Sequence, residues 1–144
     1  MVSRVKGSEE AFTLVELLIV IVIIAVLASV AIPQYLSYQR KARVTSYAQP
    51  LARACLIDIV SFCITNQGSS INLTSLKNCS NTTIPSPSGN VTLQIGVSGN
   101  CTASGNPPNG YVNATLDGVN DYIVMCRFEG NESERSIKCS VRGR

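Results

Sequence analysis

The sequence predicts an α+β protein in which a long N-terminal helix packs against a small antiparallel sheet stabilised by disulfides. An almost unbroken apolar run covers residues 12–32, and an amphipathic helical pattern follows it. Short alternating runs separated by Gly, Asn and Pro fill the C-terminal half. Six cysteines all lie after residue 54, which is typical of a small domain in an oxidising compartment.

The apolar run is long enough to span a membrane. As a helix, residues 12–32 measure about 31 Å, and the hydrocarbon core of a bilayer is about 30 Å thick. A cleaved secretory signal is the alternative, but its apolar core has only about 7–15 residues. Here the helical pattern continues beyond the run, so we expect the segment to be retained. The cysteines and the polar C-terminal half place the C-terminus outside the cytoplasm.

Glu16 lies one turn inside this apolar segment. An ionised carboxylate in the hydrocarbon core is costly and normally has a partner. No basic residue lies three or four positions away on either side. Two interpretations remain open. Either the side chain reaches the interface near the start of the span, or another molecule supplies a cation, such as the free amine of a neighbouring chain.

The residues AFTLVE at positions 11–16, with the apolar run behind them, resemble the N-terminal signature of bacterial type IV pilins. The resemblance, to a type IVa-like major pilin, covers residues 11–38 and includes Pro33, where that family has a proline. It implies a leader at residues 1–11, a long N-terminal helix at 12–65 and a globular β head at 66–144.

The resemblance implies that a prepilin peptidase cuts between Ala11 and Phe12 and then N-methylates Phe12. The family usually has Gly before the cut; Ala is the next smallest side chain, so we still expect cleavage, at a lower rate. Glu16, fifth in the trimmed chain, would pair with the Phe12 amine of an adjacent subunit and so gain the missing cation. Such a pair specifies register more than it stabilises, because desolvation offsets the attraction. Pro33, at the membrane exit, should kink the helix or remove a hydrogen bond, which would allow local melting in a filament.

As a function, the resemblance implies a structural subunit of a type IV pilus. The inner-membrane precursor would polymerise with copies of itself into an extracellular filament that serves adhesion, twitching motility or DNA uptake. The implied partners are the prepilin peptidase, the assembly platform and its motor ATPase. One alternative is a type II secretion pseudopilin, although those heads are often stabilised by calcium. The other is a minor pilin that binds DNA or surfaces through its basic C-terminal tail.

Composition argues against several other classes. After Cys55 the chain has six basic and six acidic residues, so the head has no excess positive charge that would favour nucleic-acid binding. There is no His, no Cys-x-x-Cys pair and no clustered set of nucleophile and base. The sequence therefore predicts neither an enzyme nor a metal or cofactor site.

In the C-terminal part, we expect the helix to stop at residues 66–68 and a loop to cover residues 68–90. Four strands should follow, forming an antiparallel meander on the apolar face of the helix. They are predicted at residues 91–97, 111–116, 122–128 and 136–141.

The cysteine spacing limits the disulfides. Cys55 and Cys63 lie about 12 Å apart on one helix, beyond the Cα separation of about 7 Å that a disulfide allows. Cys126 and Cys139 lie on consecutive strands and are the favoured pair, which also resembles the C-terminal disulfide loop of the pilin family. We expect the remaining pairs to be Cys63–Cys79 and Cys55–Cys101.

Seven asparagines have Ser or Thr two positions later and are candidate N-glycosylation sites. The alternative is that a surface rich in Ser, Thr and Asn produces such sequons by chance. The seven are Asn72, Asn78, Asn81, Asn90, Asn100, Asn113 and Asn131.

Overall fold

The computed structural model describes residues 11–131 and 134–144. The chain divides into two compact units, Met1–Ser37 and Tyr38–Arg144. One helix, α1, runs from Leu14 to Thr65 and contributes to both units. Of the leader expected at residues 1–11, only Ala11 lies within the described residues.

The described part of the first unit consists of residues 11–13 and the apolar part of α1, and nearly all of its side chains are exposed. Leu17, Ile24 and Leu27 are each about 60% exposed, at 63%, 59% and 65%. Among the described residues, α1 is the one helix long and apolar enough to cross a membrane, and none of its most apolar stretch is buried. The hydroxyl of Ser29 donates to the carbonyl of Val26 at 2.7 Å. This polar group is therefore satisfied within the helix, as a lipid environment requires.

The second unit packs the later part of α1 against a sheet. The buried helix residues recur at spacings of three and four, which places them on one face. They are Val44, Ala48, Ala52, Cys55, Leu56, Ile59 and Cys63. Alternate residues of the strands complete the same core: Val91, Leu93, Val112, Ala114, Leu116, Val124, Cys126 and Phe128.

The sheet has five antiparallel strands in the order β1-β2-β3-β4-β5. This confirms the predicted α+β class and the antiparallel meander. The strands are β1 (Thr83–Ser86), β2 (Gly89–Val97), β3 (Gly110–Leu116), β4 (Val119–Asn131) and β5 (Glu134–Gly143).

The prediction of a loop over residues 68–90 is wrong for part of that range. It contains a short 3-10 helix, Leu73–Ser75, and the edge strand β1. β1 contains Pro85, which cannot donate a ladder hydrogen bond. In β1, however, Pro85 lies opposite Asn90 on a strand that pairs only with β2, so the missing donor is tolerated at the edge.

The connections between the last strands are shorter than expected. Only Asp117 and Gly118 separate β3 from β4, and Gly118 has φ +80°. An Asp-Gly pair between alternating runs is a strong hairpin signal, so the sequence carried this information. The β4–β5 pairing extends to Asn131 opposite Glu134, and the two intervening residues lie outside the described range.

Three disulfides cross-link residues within the second unit: Cys55–Cys79, Cys63–Cys101 and Cys126–Cys139. Cys126 and Cys139 lie directly opposite each other in the β4–β5 register, and this is the pair that the family resemblance implies. The expected pairs Cys63–Cys79 and Cys55–Cys101 are wrong.

The path of the chain after α1 explains why Cys63 bonds to Cys101 and Cys55 to Cys79. The N–H of Cys101 donates to the Ser69 carbonyl at 2.9 Å, which brings Cys101 beside the C-terminal end of α1, where Cys63 lies. Between residues 69 and 79 the chain turns back along α1. The N–H of Asn78 donates to the Asp58 carboxylate at 2.9 Å, so the next residue, Cys79, meets Cys55 two turns earlier in the helix.

Candidate processing and assembly site

The start of α1 is a capping box formed by Thr13 and Glu16. The N–H of Glu16 donates to the Thr13 hydroxyl oxygen at 3.2 Å. In return, Oε2 of Glu16 accepts from the N–H of Thr13 at 2.8 Å and from its hydroxyl at 3.0 Å. Two backbone N–H groups that a helix start leaves unpaired are thereby satisfied. The Thr-x-x-Glu pattern before an apolar run is visible in the sequence and signals such a cap, independently of any basic partner of Glu16.

The box uses only one oxygen of the Glu16 carboxylate. Oε1 has no hydrogen-bond partner among residues 11–131 and 134–144, and both donors to Oε2 are neutral. None of the ion pairs found in this part of the chain involves Glu16. A cationic partner for Glu16 therefore has to come from outside the described residues. The capping box also holds the carboxylate in a defined orientation at the helix start.

The bond predicted to be cut lies just before this box. Ala11 and Phe12 are outside regular secondary structure, and Phe12 is 87% exposed. An accessible, non-helical segment is what a peptidase requires of its scissile bond. Arg4 and Lys6, the basic residues of the expected leader, lie outside the described residues.

Pro33 lies within α1 and is exposed. Because proline has no N–H, the carbonyl four residues earlier, that of Ser29, lacks its usual helical donor. The roles expected for Pro33 and Glu16 in assembly remain predictions.

The basic C-terminal tail does not form one uniform patch. Nζ of Lys138 lies 2.9 Å from Oε2 of Glu129, and the guanidinium of Arg127 pairs with Oε1 of the same carboxylate. The guanidinium of Arg135 donates to the carbonyl of Pro107 at 2.6 Å. These three charges are engaged within the head, whereas Arg142 and Arg144 are exposed and have no ion pair among the described residues, so only part of the basic tail is neutralised locally.

Comparison with known proteins defines the class of this N-terminal segment. Residues 7–32 match the family model described as "Prokaryotic N-terminal methylation motif". The match contains the Ala11–Phe12 junction, Glu16 and most of the exposed apolar part of α1. The chain thus carries the N-terminal methylation motif of prokaryotic prepilins, and the resemblance to type IV pilins is confirmed for this segment.

Two curated relatives extend the comparison. Both are described as "Type IV major fimbrial protein FimA" from Dichelobacter nodosus, and each is 39% identical to this chain over 59 residues. The matches cover 37% of this chain and 38% and 37% of the relatives. The chain therefore spans less than two fifths of the length of the curated relatives it matches. No solved structure matches the chain.

Proposed function

We propose that this protein is the structural subunit of a type IV pilus, made as an inner-membrane precursor and polymerised into an extracellular filament on the cell surface. The observation that carries the proposal is the coincidence of two features at the start of α1. The methylation motif covers residues 7–32, and within it Glu16 presents a carboxylate oxygen with no partner among the described residues.

The exposed apolar surface of α1 supports the same function. A soluble protein rarely leaves so long an apolar surface uncovered. Lipid would cover this surface in the precursor, and the same segments of neighbouring copies would cover it in the filament. Small residues allow helices to approach closely in such packing. In this chain they are Ala25, Ala28, Ser29 and Ala31.

Processing links the exposed junction to the carboxylate. A prepilin peptidase hydrolyses the Ala11–Phe12 bond and N-methylates the Phe12 amine that this releases. In the filament, that amine pairs with Glu16 of an adjacent subunit, where Oε1 is available and the capping box already orients the carboxylate. Both charges stay in an apolar environment, where an unpaired charge costs far more than a paired one, so the pair favours the one register that brings the amine and the carboxylate together.

The remaining partners follow from this function. An assembly platform with its motor ATPase would extract the processed subunit from the inner membrane. The filament would serve adhesion, twitching motility or DNA uptake. Disulfides, which suit a subunit exposed to an oxidising exterior, hold the head together, and this favours a pilin over a pseudopilin.

The processing claim is tested by the intact mass of filaments sheared from cells. Apart from any glycan, the expected mass lacks residues 1–11, gains one methyl group and is reduced by six hydrogens for three disulfides. Surface filaments that retain residues 1–11 would overturn the claim.

Two variants separate the charge of Glu16 from its capping role. Glu16→Gln removes the charge but still completes a capping box, because Gln also serves at this position. Thr13→Ala removes the cap but keeps the carboxylate. We expect Glu16→Gln to reduce sheared filament yield at least tenfold at equal precursor level, and Thr13→Ala to reduce it much less. Equal yields from Glu16→Gln and the unmodified protein would refute the pairing.

A further inference from the structure

Two loops of the head form one continuous surface made of amide and hydroxyl side chains. Residues 66–83 and 98–109 contain a single charged residue, Lys77. They are joined by backbone hydrogen bonds: the N–H of Ile71 donates to the Gly99 carbonyl, and the N–H of Gly68 donates to the Thr102 carbonyl, both at 3.2 Å. Two of the three disulfides anchor these loops to α1. Four of the seven sequons lie on this amide–hydroxyl surface: Asn72, Asn78, Asn81 and Asn100.

The sequon at Asn72 has its reactive groups brought together and exposed. Oδ1 of Asn72 accepts from the N–H of Thr74 at 3.1 Å and from the Thr74 hydroxyl at 2.6 Å. Both side chains are exposed. Because Oδ1 is held by this turn, Nδ2 points away from it, and Nδ2 has no hydrogen-bond partner in the described part of the chain.

The sequon at Asn81 has the same turn. Oδ1 of Asn81 accepts from the N–H of Thr83 at 3.2 Å, and both residues are exposed. Asn81 lies two residues before the start of β1, which is an open edge of the sheet. A bulky hydrophilic group here would shield that edge from pairing with a strand of another molecule.

Four of the other five sequons lack either full exposure or a hydrogen bond from the residue two positions later to the Asn side chain. Asn113 is half-buried in the middle of β3, and the hydroxyl of its partner Thr115 faces the Thr92 carbonyl at 3.5 Å. Thr102 completes the sequon of Asn100, but it is half-buried and its hydroxyl oxygen accepts from the N–H of Asn106 at 2.9 Å. No hydrogen bond joins Asn78 or Asn90 to the residue two positions later in the described structure. Ser133, which completes the sequon of Asn131, lies outside the described residues.

We propose that Asn72 and Asn81 are N-glycosylated, and that the folded head selects them over Asn113. The donor class is an oligosaccharide linked to an isoprenoid lipid through a diphosphate. A bond forms between Nδ2 and the anomeric carbon of the sugar while the bond from that carbon to the phosphate oxygen breaks. The amide loses one proton, and the lipid diphosphate leaves. An oligosaccharyltransferase on the outer side of the membrane is the partner that this reaction requires.

The test uses the full chain purified from its native host. Intact mass and glycopeptide mapping should show one glycan at Asn72 and one at Asn81. Asn72→Gln and Asn81→Gln should each remove one glycan mass, and the double variant should remove both. Thr74→Ala should remove the glycan at Asn72, whereas Thr74→Ser should keep it, because Ser also completes a sequon.

Asn113→Gln is the matched control and should leave the mass unchanged apart from the substitution itself. Three outcomes would overturn the proposal: a native mass without any glycan, a double variant that keeps its glycans, or a glycan at Asn113. The readout is independent of the pilus function, because filament yield is measured separately. An unglycosylated filament would refute this inference and leave the proposed function intact.

Discussion

Removing the disulfide between Cys63 and Cys101 should destabilise the head more than removing either of the other two. It joins residues separated by 38 positions, compared with 24 for Cys55–Cys79 and 13 for Cys126–Cys139. A cross-link stabilises mainly by restricting the unfolded chain, and the restriction grows with the logarithm of the loop length. On that basis the three disulfides contribute about 3.9, about 3.4 and about 2.9 kcal/mol to the free energy of unfolding.

The double variant Cys63→Ala/Cys101→Ala tests this order. Alanine is preferred to serine, because Cys63 is fully buried and Cys101 is 3% exposed, so a hydroxyl would lack a partner there. The assay is equilibrium unfolding of the full chain in detergent, followed by near-UV circular dichroism of the head tyrosines. The matched variant Cys126→Ala/Cys139→Ala should lose about 1 kcal/mol less. The reverse order would refute the argument from loop length.

A single variant tests the connectivity itself. Cys63→Ala should leave one free thiol, and alkylation followed by peptide mapping should find it at Cys101. Alkylation of Cys79 instead would show that the chain does not turn back along α1 as described.

Two further predictions concern the sheet. The ion pairs of Glu129 with Lys138 and Arg127 lower the pKa of Glu129 below its usual value of 4.5. The stability that Glu129 contributes is therefore present above about pH 4.5 and lost as the pH falls below it. In urea titrations above and below that pH, acidification should reduce the free energy of unfolding less in Glu129→Gln than in the unmodified protein. Equal reductions in the two proteins would contradict the assignment. At Gly96, an added Cβ would lie 2.5 Å from the ring of Tyr111. Because Tyr111 is 47% exposed and its ring can turn aside, Gly96→Ala should cost about 1 kcal/mol of unfolding free energy, at the low end of overpacking costs. The cost should be smaller in a Tyr111→Ala background, and equal costs in both backgrounds would rule out the ring contact.

Much of the fold could be predicted because it depends on local patterns. The apolar run and the spacing from Val44 to Cys63 determine which stretch is helical and which face is buried. Alternation within short segments determines four of the five strands. These signals depend on neighbouring residues alone, so a single sequence contains them.

Strand β1 and the capping box were not predicted, for different physical reasons. Strand β1 is only four residues long and contains Pro85, which disfavours a strand, and only the sheet order shows that its missing donor lies at an open edge. The capping box at Thr13 and Glu16 has a local signal, the Thr-x-x-Glu pattern before an apolar run, but the charge of Glu16 equally suggests a basic partner. The motif at the candidate site was therefore recognisable, but the hydrogen bonds that orient its carboxylate required the structure.

The sequence by itself determined the apolar helix, the methylation motif, the antiparallel meander and the Cys126–Cys139 pair, since two facing strands bring those cysteines together. Only the tertiary structure decided the partners of Cys55 and Cys63. Both lie on the same face of α1, and either could bond to a loop cysteine. Their choice depends on the direction in which the chain leaves the helix and on the hydrogen bonds between residues about thirty positions apart, which no local pattern encodes.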